Sequence, residues 1–398
     1  MYKLLKKSKK TQARIGILTT PHGRIETPFF MPIATKASVK ALTANDVTDL
    51  GAQIILANTY HLYLQPGLEI IKKFGGLHKF MNWPGPILTD SGGYQVFSLG
   101  EKKKYGPSGE NFQGPKSRYL TKTNDENLSL VKITNDGVEF KSFIDGSKHF
   151  FSPEKVQDIQ DVLGSDIKMV LDVCSPHPCA KSQAEHDMKL THEWAKRAIE
   201  YHNLRSKKQE LRSKGLLFGI VQGSVYKDLR LKSTKFLSNL NFDGLAIGGL
   251  AVGEDNKKMY SVLDYTLPVL PSNKPRYLMG VGRPENIIEA VKRGIDMFDC
   301  VIPTREARHG RLYKMQKTIN KKQFYEIINI NNAKFKKDIK PIDKNCDCEL
   351  CRNYSAGYLH HLFKAGEPLA LRLATSHNVK FYLKLMTTLR ELIQNNKL

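Results

Sequence analysis
Short apolar runs that stop at glycine or a polar residue recur along the chain, and amphipathic stretches separate most of them. Eight such runs stand out, at 29–33, 53–57, 86–88, 169–171, 218–221, 244–247, 276–279 and 297–301. Each is too short for a helix and is bounded by turn residues, so each predicts a buried strand. Apolar residues at helical spacing mark 152–163, 183–206, 226–240, 255–267 and 284–293. The first of these opens Ser-Pro-Glu, a capping residue followed by proline at the first helical position. Strands alternating with helices imply a parallel sheet. Eight units over this length favour an α/β chain closed into a (β/α)8 TIM barrel over an open doubly wound sheet.

Two segments break the rhythm. Between the third and fourth runs lies a Lys/Gly/Pro/Asn-rich stretch at 100–135, then an alternating pattern at 137–151 with Asp145-Gly146 at its centre, which predicts a hairpin. The second break, 314–376, carries a cysteine cluster and precedes a helical pattern at 378–393. The expected organisation is therefore a catalytic barrel over 1–313, with an N-terminal extension and an insertion around 100–150. A metal-binding subdomain with a final helix would follow over 314–398.

Composition sharpens this. The chain has 398 residues, 62 Lys and Arg against 39 Asp and Glu, and a net charge of +23. That balance favours a polyanionic partner, because each cation placed on a phosphate releases condensed counterions. No apolar run approaches the ~18 residues of a membrane span, and the lysine-rich first ten residues lack the apolar core of a secretory signal. Of six cysteines, three crowd into Cys346-Asp-Cys348-Glu-Leu-Cys351. Neighbours this close pair poorly as disulfides but can face one ion, which points to a metal site in a reducing compartment, the cytoplasm. Spacing leaves His360, His361 and His377 open as the fourth ligand.

Barrel chemistry gathers at the carboxyl ends of the strands. The polar residues there are Asn58, His61, Asp90-Ser91-Gly92-Gly93, Asp172, Gln222-Gly223, Gly248-Gly249, Met279-Gly280 and Asp299. Three carboxylates converging on one mouth suit acid/base or nucleophilic work. Asp296 competes with Asp299, but on an extended strand the two face opposite sides.

Several blocks together resemble tRNA-guanine transglycosylases of the bacterial type. They are Thr27-Pro-Phe-Phe-Met-Pro32, Asn58-Thr-Tyr-His-Leu62, Leu88-Thr-Asp-Ser-Gly-Gly-Tyr-Gln-Val96 and Gly219-Ile-Val-Gln-Gly-Ser-Val225. Further on come Gly248-Gly-Leu-Ala-Val-Gly-Glu254, Tyr277-Leu-Met-Gly-Val-Gly282 and Gly294-Ile-Asp-Met-Phe-Asp-Cys-Val-Ile-Pro-Thr-Arg305, then the cysteine cluster with Tyr358-Leu-His-His361. The resemblance runs from about Ile15 to Met386. It implies exchange of the wobble guanine of tRNA anticodons for 7-aminomethyl-7-deazaguanine, in queuosine biosynthesis.

The resemblance implies Asp299 as nucleophile and Asp90 as general acid/base. A carboxylate nucleophile divides base replacement into two steps, as in retaining glycosidases. It implies a base pocket of Ser91, Tyr94, Asp172, Cys174, Gln222, Gly249, Leu250 and Met279. Asp172 would accept the purine N1–H and N2–H, Gln222 and the Gly249 N–H would meet O6 and N7, and Tyr94 and Met279 would sandwich the ring. Backbone carbonyls around Leu250, supported by Glu254, would receive the aminomethyl group. Val173 departs from the acidic residue often found beside the cysteine in this family. Arg305 and Arg308 match arginines that read the anticodon loop, and Arg283 is expected on a phosphate. His377 is selected as fourth ligand to a structural Zn2+, with Cys346, Cys348 and Cys351, and a homodimer is expected.

Two other readings stay open in the sequence. An archaeal-type enzyme modifies another tRNA guanine and usually carries a long C-terminal extension, whereas this chain ends at Leu398. A non-catalytic tRNA-binding partner subunit would be expected to lack the carboxylates Asp90, Asp172 and Asp299, all present here.

Overall fold
The computed structural model describes residues 1–94, 131–207, 215–316 and 324–398. Parallel strands at its centre follow chain order: Phe29–Met31 with Ile33–Ala34, then Ile55–Ala57, Ile87–Thr89, Ile167–Met169, Leu216–Val221, Gly244–Ile247, Arg276–Leu278 and Met297–Asp299. Pro32 splits the first strand, because it has no N–H to give to a ladder. The two halves pair on opposite sides. Phe29–Met31 lies along Met297–Asp299, and Ile33–Ala34 lies along Ile55–Ala57. The split strand thus closes the sheet into the eight-stranded barrel that the alternation predicts. Both faces of the strands are covered, so they read as continuous apolar runs.

The fourth strand sits two residues earlier than its apolar run. Lys168 stands in its middle and masks it in the sequence, yet this side chain is only 1% exposed. Its ammonium donates to Asp161 at 2.7 Å and lies 3.2 Å from His202 Nδ1. The flanking helices match the amphipathic stretches: Pro153–Leu163, Lys181–Lys207, Lys227–Ser238, Asn256–Thr266 and Pro284–Lys292. Ser152 caps the first, its hydroxyl accepting from the Lys155 N–H at 3.1 Å.

The N-terminal ends of the strands are closed by a three-stranded antiparallel sheet, Tyr2–Lys7, Arg14–Thr20 and Gly23–Thr27. Its Arg14 is buried and pairs with the fully buried Asp296 through Nε (3.0 Å) and Nη2. Asp296 also accepts the Arg276 N–H at 2.7 Å, and Arg14 donates to the carbonyls of Ser272 and Lys274, both at 2.8 Å. Nearby, buried Asp166 accepts the N–H groups of His22 (3.0 Å) and Ile87 (2.9 Å) and meets the imidazoles of His22 (2.8 Å) and His78 (3.1 Å). The two rings stack 3.6 Å apart with planes 17° from parallel. Both rings meet the one Asp166 carboxylate, so the trio ties the antiparallel sheet to the barrel floor.

After the third strand, Val131–Ile133, Val138–Lys141 and Lys148–Phe151 form a small antiparallel sheet, and the expected hairpin turns at Asp145 and Gly146. The part of the lysine-rich stretch at 100–130 lies outside the described residues. The last helix, Pro368–Gln394, begins ten residues before its apolar pattern. Thr375, Ser376, His377 and Asn378 are all buried within it, and this polar run hides the period. The helix is tied to the barrel by Tyr382, which donates to the Gly282 carbonyl at 2.6 Å, and by Arg390, which donates to that of Pro28 at 2.8 Å. Among the described residues no helix is long and apolar enough to cross a membrane.

Candidate active site
Asp90 directly follows the third strand, at the carboxyl mouth of the barrel. Three donors hold its carboxylate. The Thr59 N–H (3.0 Å) and Gly92 N–H (3.1 Å) reach Oδ1, and the Asn58 amide reaches Oδ2. Asn58 also caps the short helix Thr59–Leu62, accepting from the His61 N–H at 3.0 Å. One polar residue after the second strand therefore sets both the helix and the carboxylate. Burial pushes the Asp90 carboxyl up to about 7 against the pull of these donors, and the charge of Asp299 adds to the rise.

Asp299 ends the eighth strand. Its Oδ1 accepts from the Tyr277 hydroxyl at 2.6 Å and the Gly280 N–H at 2.7 Å. Gly280 turns that N–H inward at φ +72°, a conformation that suits glycine. Oδ2 has no hydrogen-bond partner among the described residues. Burial raises the Asp299 carboxyl, and the two donors oppose this. Asp296 does not compete for the mouth. The two aspartates are separated by opposite ends of the strand, a stronger distinction than the opposite faces their spacing predicts, and Asp296 is committed to Arg14 on the floor.

Next to this pair is a second polar group. Asp172 is buried, accepts from the Gln222 amide at 2.7 Å and is bonded by Ser91. Burial pushes its carboxyl up to about 6. The Gln222 Oε1 is buried and has no partner among the described residues. A Cβ added to Gly249 would lie 2.5 Å from that oxygen, so the carboxamide packs directly on the Gly249 backbone. The Gly249 N–H faces the Cys174 sulfur, and burial raises that thiol to about 12, which keeps it neutral. Glu254 accepts the N–H groups of Ala251 (2.5 Å) and Val252 (3.1 Å), holding the loop that includes Leu250. Val173 is buried and gives its N–H to Thr191 at 3.0 Å.

The structure thus brings Ser91, Asp172, Cys174, Gln222 and Gly249 into one contiguous set beside Asp90 and Asp299. Half-buried Met279 follows the seventh strand at the same mouth, its N–H on the Ile247 carbonyl at 3.3 Å. Tyr94 is different: it is 57% exposed and does not close over the pocket. Sequence reasoning missed Tyr277, the donor to Asp299, because a tyrosine inside an apolar strand reads as core. Arg305 and Arg308 lie on the helix Ile302–Arg308 that leaves the eighth strand. Arg305 is exposed, while Arg308 is half-buried and donates to the Thr304 carbonyl at 2.8 Å. Exposed Arg283 precedes the helix Pro284–Lys292.

Away from the mouth, the ligand atoms of Cys346, Cys348, Cys351 and His377 all lie within 4.8 Å of one another, a set that could hold a metal ion. His377 Nδ1 is 3.5 Å from Cys348 Sγ and 3.3 Å from Cys351 Sγ. Its Nε2 meets the Tyr313 carbonyl at 2.8 Å, which orients the ring with Nδ1 toward the sulfurs. His377 stands inside the final helix and not at its start. His360 is turned elsewhere, to the Ile330 carbonyl at 2.7 Å.

The chain matches known proteins along its whole length. The family model described as queuine tRNA-ribosyltransferase matches residues 8–127 and 118–398. A protein of Caldanaerobacter subterraneus subsp. tengcongensis with that name is 50% identical over 397 residues, covering 100% of this chain and 94% of its own length. One from Thermoanaerobacter pseudethanolicus is 49% identical with the same coverage. One from Desulforamulus reducens is 48% identical over 396 residues, covering 100% of this chain and 95% of its own length. Both carry the same name.

Proposed function
The chain belongs to the queuine tRNA-ribosyltransferase family, the tRNA-guanine transglycosylase class of enzymes, and from that premise we propose that it replaces the wobble guanine of tRNA by 7-aminomethyl-7-deazaguanine through a covalent ribosyl–Asp299 intermediate. The observation that carries this is the unequal pair of carboxylates at one barrel mouth. Asp299 has one oxygen pinned by Tyr277 and Gly280 and the other without a partner among the described residues. Asp90 is held by three donors and keeps its proton to near neutrality. Environments that push two carboxylates apart divide nucleophile from acid/base.

In the first half-reaction Asp299 Oδ2 attacks C1′ as the C1′–N9 bond breaks, and the departing guanine takes a proton from Asp90. In the second, Asp90 removes the proton of the incoming base, whose nitrogen attacks C1′ and releases Asp299. Asp172, ionised, accepts N1–H and N2–H, a pairing that is selective where water is excluded. The Gln222 carboxamide and Gly249 N–H meet O6 and N7, Ser91 holds Asp172, and Cys174 and Leu250 border the 7-substituent. Tyr94 moves in with Met279 to cover the ring. Arg305, Arg308 and Arg283 hold the anticodon loop.

The Cys346, Cys348, Cys351 and His377 set is read as structural Zn2+. Three thiolates and an imidazole would hold the ion as a full set of four protein ligands, which suits a structural role. The organisation belongs to the same reading: a barrel over 1–313, the metal-binding unit with its helix over 314–398, a homodimer, and a cytoplasmic setting that keeps the thiols reduced. A base-exchange assay without ATP tests the function. Labelled guanine should enter tRNA, and 7-aminomethyl-7-deazaguanine should displace it better than queuine does. A chain that incorporates neither base overturns the reading.

A further inference from the structure
Arg230 is fully buried, and among the described residues no carboxylate comes within ion-pair distance of it. Its guanidinium is spent on backbone carbonyls. Nε donates to Ser224 at 2.6 Å, Nη1 to Val221 at 2.9 Å and Nη2 to Gly249 at 3.3 Å. Val221 ends the fifth strand, and Ser224 and Gly249 lie in the loops after the fifth and sixth strands, the two loops that carry Gln222 and Gly249. Desolvating a cation without a paired anion is costly, and a planar fork matches several carbonyls at once where an ammonium does not. Burial lowers the guanidinium to about 10, so it stays charged at neutral pH.

Resting on the function proposed above, we infer that Arg230 is the positioning residue that fixes the O6- and N7-reading edge of the base pocket, and thereby sets discrimination at purine position 6. The turn it grips is strained, with Gly223 at φ +127° and Ser224, a non-glycine residue, at φ +50°. The same helix, Lys227–Ser238, holds the Gln222 N–H through the Ser233 hydroxyl at 3.2 Å. The Gly248 N–H adds a bond to the Val221 carbonyl at 3.1 Å. Gln222 and Gly249 are therefore fixed from one anchor, and the carboxamide packed on Gly249 has no slack. Asp172, which reads the opposite purine edge, follows the fourth strand and meets this anchor only through the Gln222 amide (2.7 Å), while Ser91 holds it independently.

The test compares wild type, Arg230→Lys and Arg230→Met in labelled-guanine exchange, with hypoxanthine and 6-thioguanine as competing bases. Hypoxanthine lacks only the 2-amino group that faces Asp172. 6-Thioguanine keeps that edge and replaces O6 with a weaker acceptor. Arg230→Met should lose about tenfold or more of the preference for guanine over 6-thioguanine, the scale of one charge-assisted hydrogen bond. Arg230→Lys should recover part of it. Preference over hypoxanthine should fall less, because Ser91 also holds Asp172, and KM for tRNA should hold. If Arg230→Met does not fold, Arg230→Lys carries the comparison. Both preferences falling equally, or neither changing, overturns the inference. A wild-type chain that exchanges no guanine overturns the functional reading, and this inference with it.

Discussion
Asn58 offers a quantitative handle on the acid/base pair. Its amide donates to Asp90 Oδ2, one of three donors that favour the charged carboxylate against a burial that pushes it up to about 7. Asn58→Ala removes that donor and leaves the Thr59 and Gly92 N–H groups in place. A hydrogen bond to a charged group contributes about 1.5–3 kcal/mol, and 1.36 kcal/mol corresponds to one pH unit. With two donors retained and the site half-buried, a rise of about one unit is expected. The sign follows from which form reacts. On the proposed mechanism the free enzyme needs protonated Asp90 to expel guanine, so activity should fall as pH rises through the Asp90 value. Losing a donor moves that alkaline limb upward. At pH 8, about one-tenth of Asp90 is protonated in wild type and about half in the variant. The assay is the pH profile of kcat/KM for tRNA in guanine exchange, which reports the free enzyme. Asn58→Ala also removes a helix cap, at a cost of about 1 kcal/mol in stability, so the position of the limb is the readout and not the absolute rate. A limb that stays put or moves downward, or the same limb surviving in Asp90→Asn, would refute the assignment.

Asp296→Asn strips the charge partner from buried Arg14, so denaturant melts should show a loss of about 3–5 kcal/mol. Folded protein should still exchange guanine, and a folded but inactive variant would contradict the floor assignment. Metal analysis of purified protein should give zinc bound by the Cys346–His377 set, and Cys348→Ala should lose it together with thermal stability of the final helix; zinc retained in that variant would exclude the proposed ligand set. Removing Arg305 or Arg308 should weaken tRNA binding and reduce the log–log salt slope by about 0.7–0.9 each. An unchanged slope in both variants would take these arginines off the phosphates.

The barrel is legible in the sequence because its strands are buried on both faces and end at polar residues that the proposed chemistry uses. Asp90, Asp172, Gln222, Gly249 and Asp299 therefore stand out as strand-end residues in the hydropathy pattern itself. What stays hidden there is polar chemistry placed inside packed elements. Lys168 shifts the apparent fourth strand, because its cation is neutralised against Asp161 out of sight of a hydropathy pattern. Buried Thr375 to Asn378 break the period of the final helix. There His377 faces the sulfurs, and Asn378 bonds the Tyr313 N–H (3.1 Å) and the Arg311 carbonyl (2.9 Å). Arg14 and Arg230 read as surface cations in the sequence, since nothing local marks an arginine whose partners come from distant loops. The high charge fares similarly. It favours a polyanion, but the mouth is defined by carboxylates, and among the described residues Arg305 and Arg308 lie on the helix that leaves the eighth strand, with Arg283 before the helix Pro284–Lys292.

The covalent intermediate is the centre of the account, and a denaturing gel reads it directly. Protein incubated with labelled tRNA and quenched under denaturing conditions should give a slower band containing both RNA and protein. Asp296→Asn should keep that band in its folded fraction, and Asp299→Ala should abolish both band and exchange. An adduct formed by Asp299→Ala, or undiminished guanine exchange by that variant, would contradict the assignment of Asp299 as nucleophile.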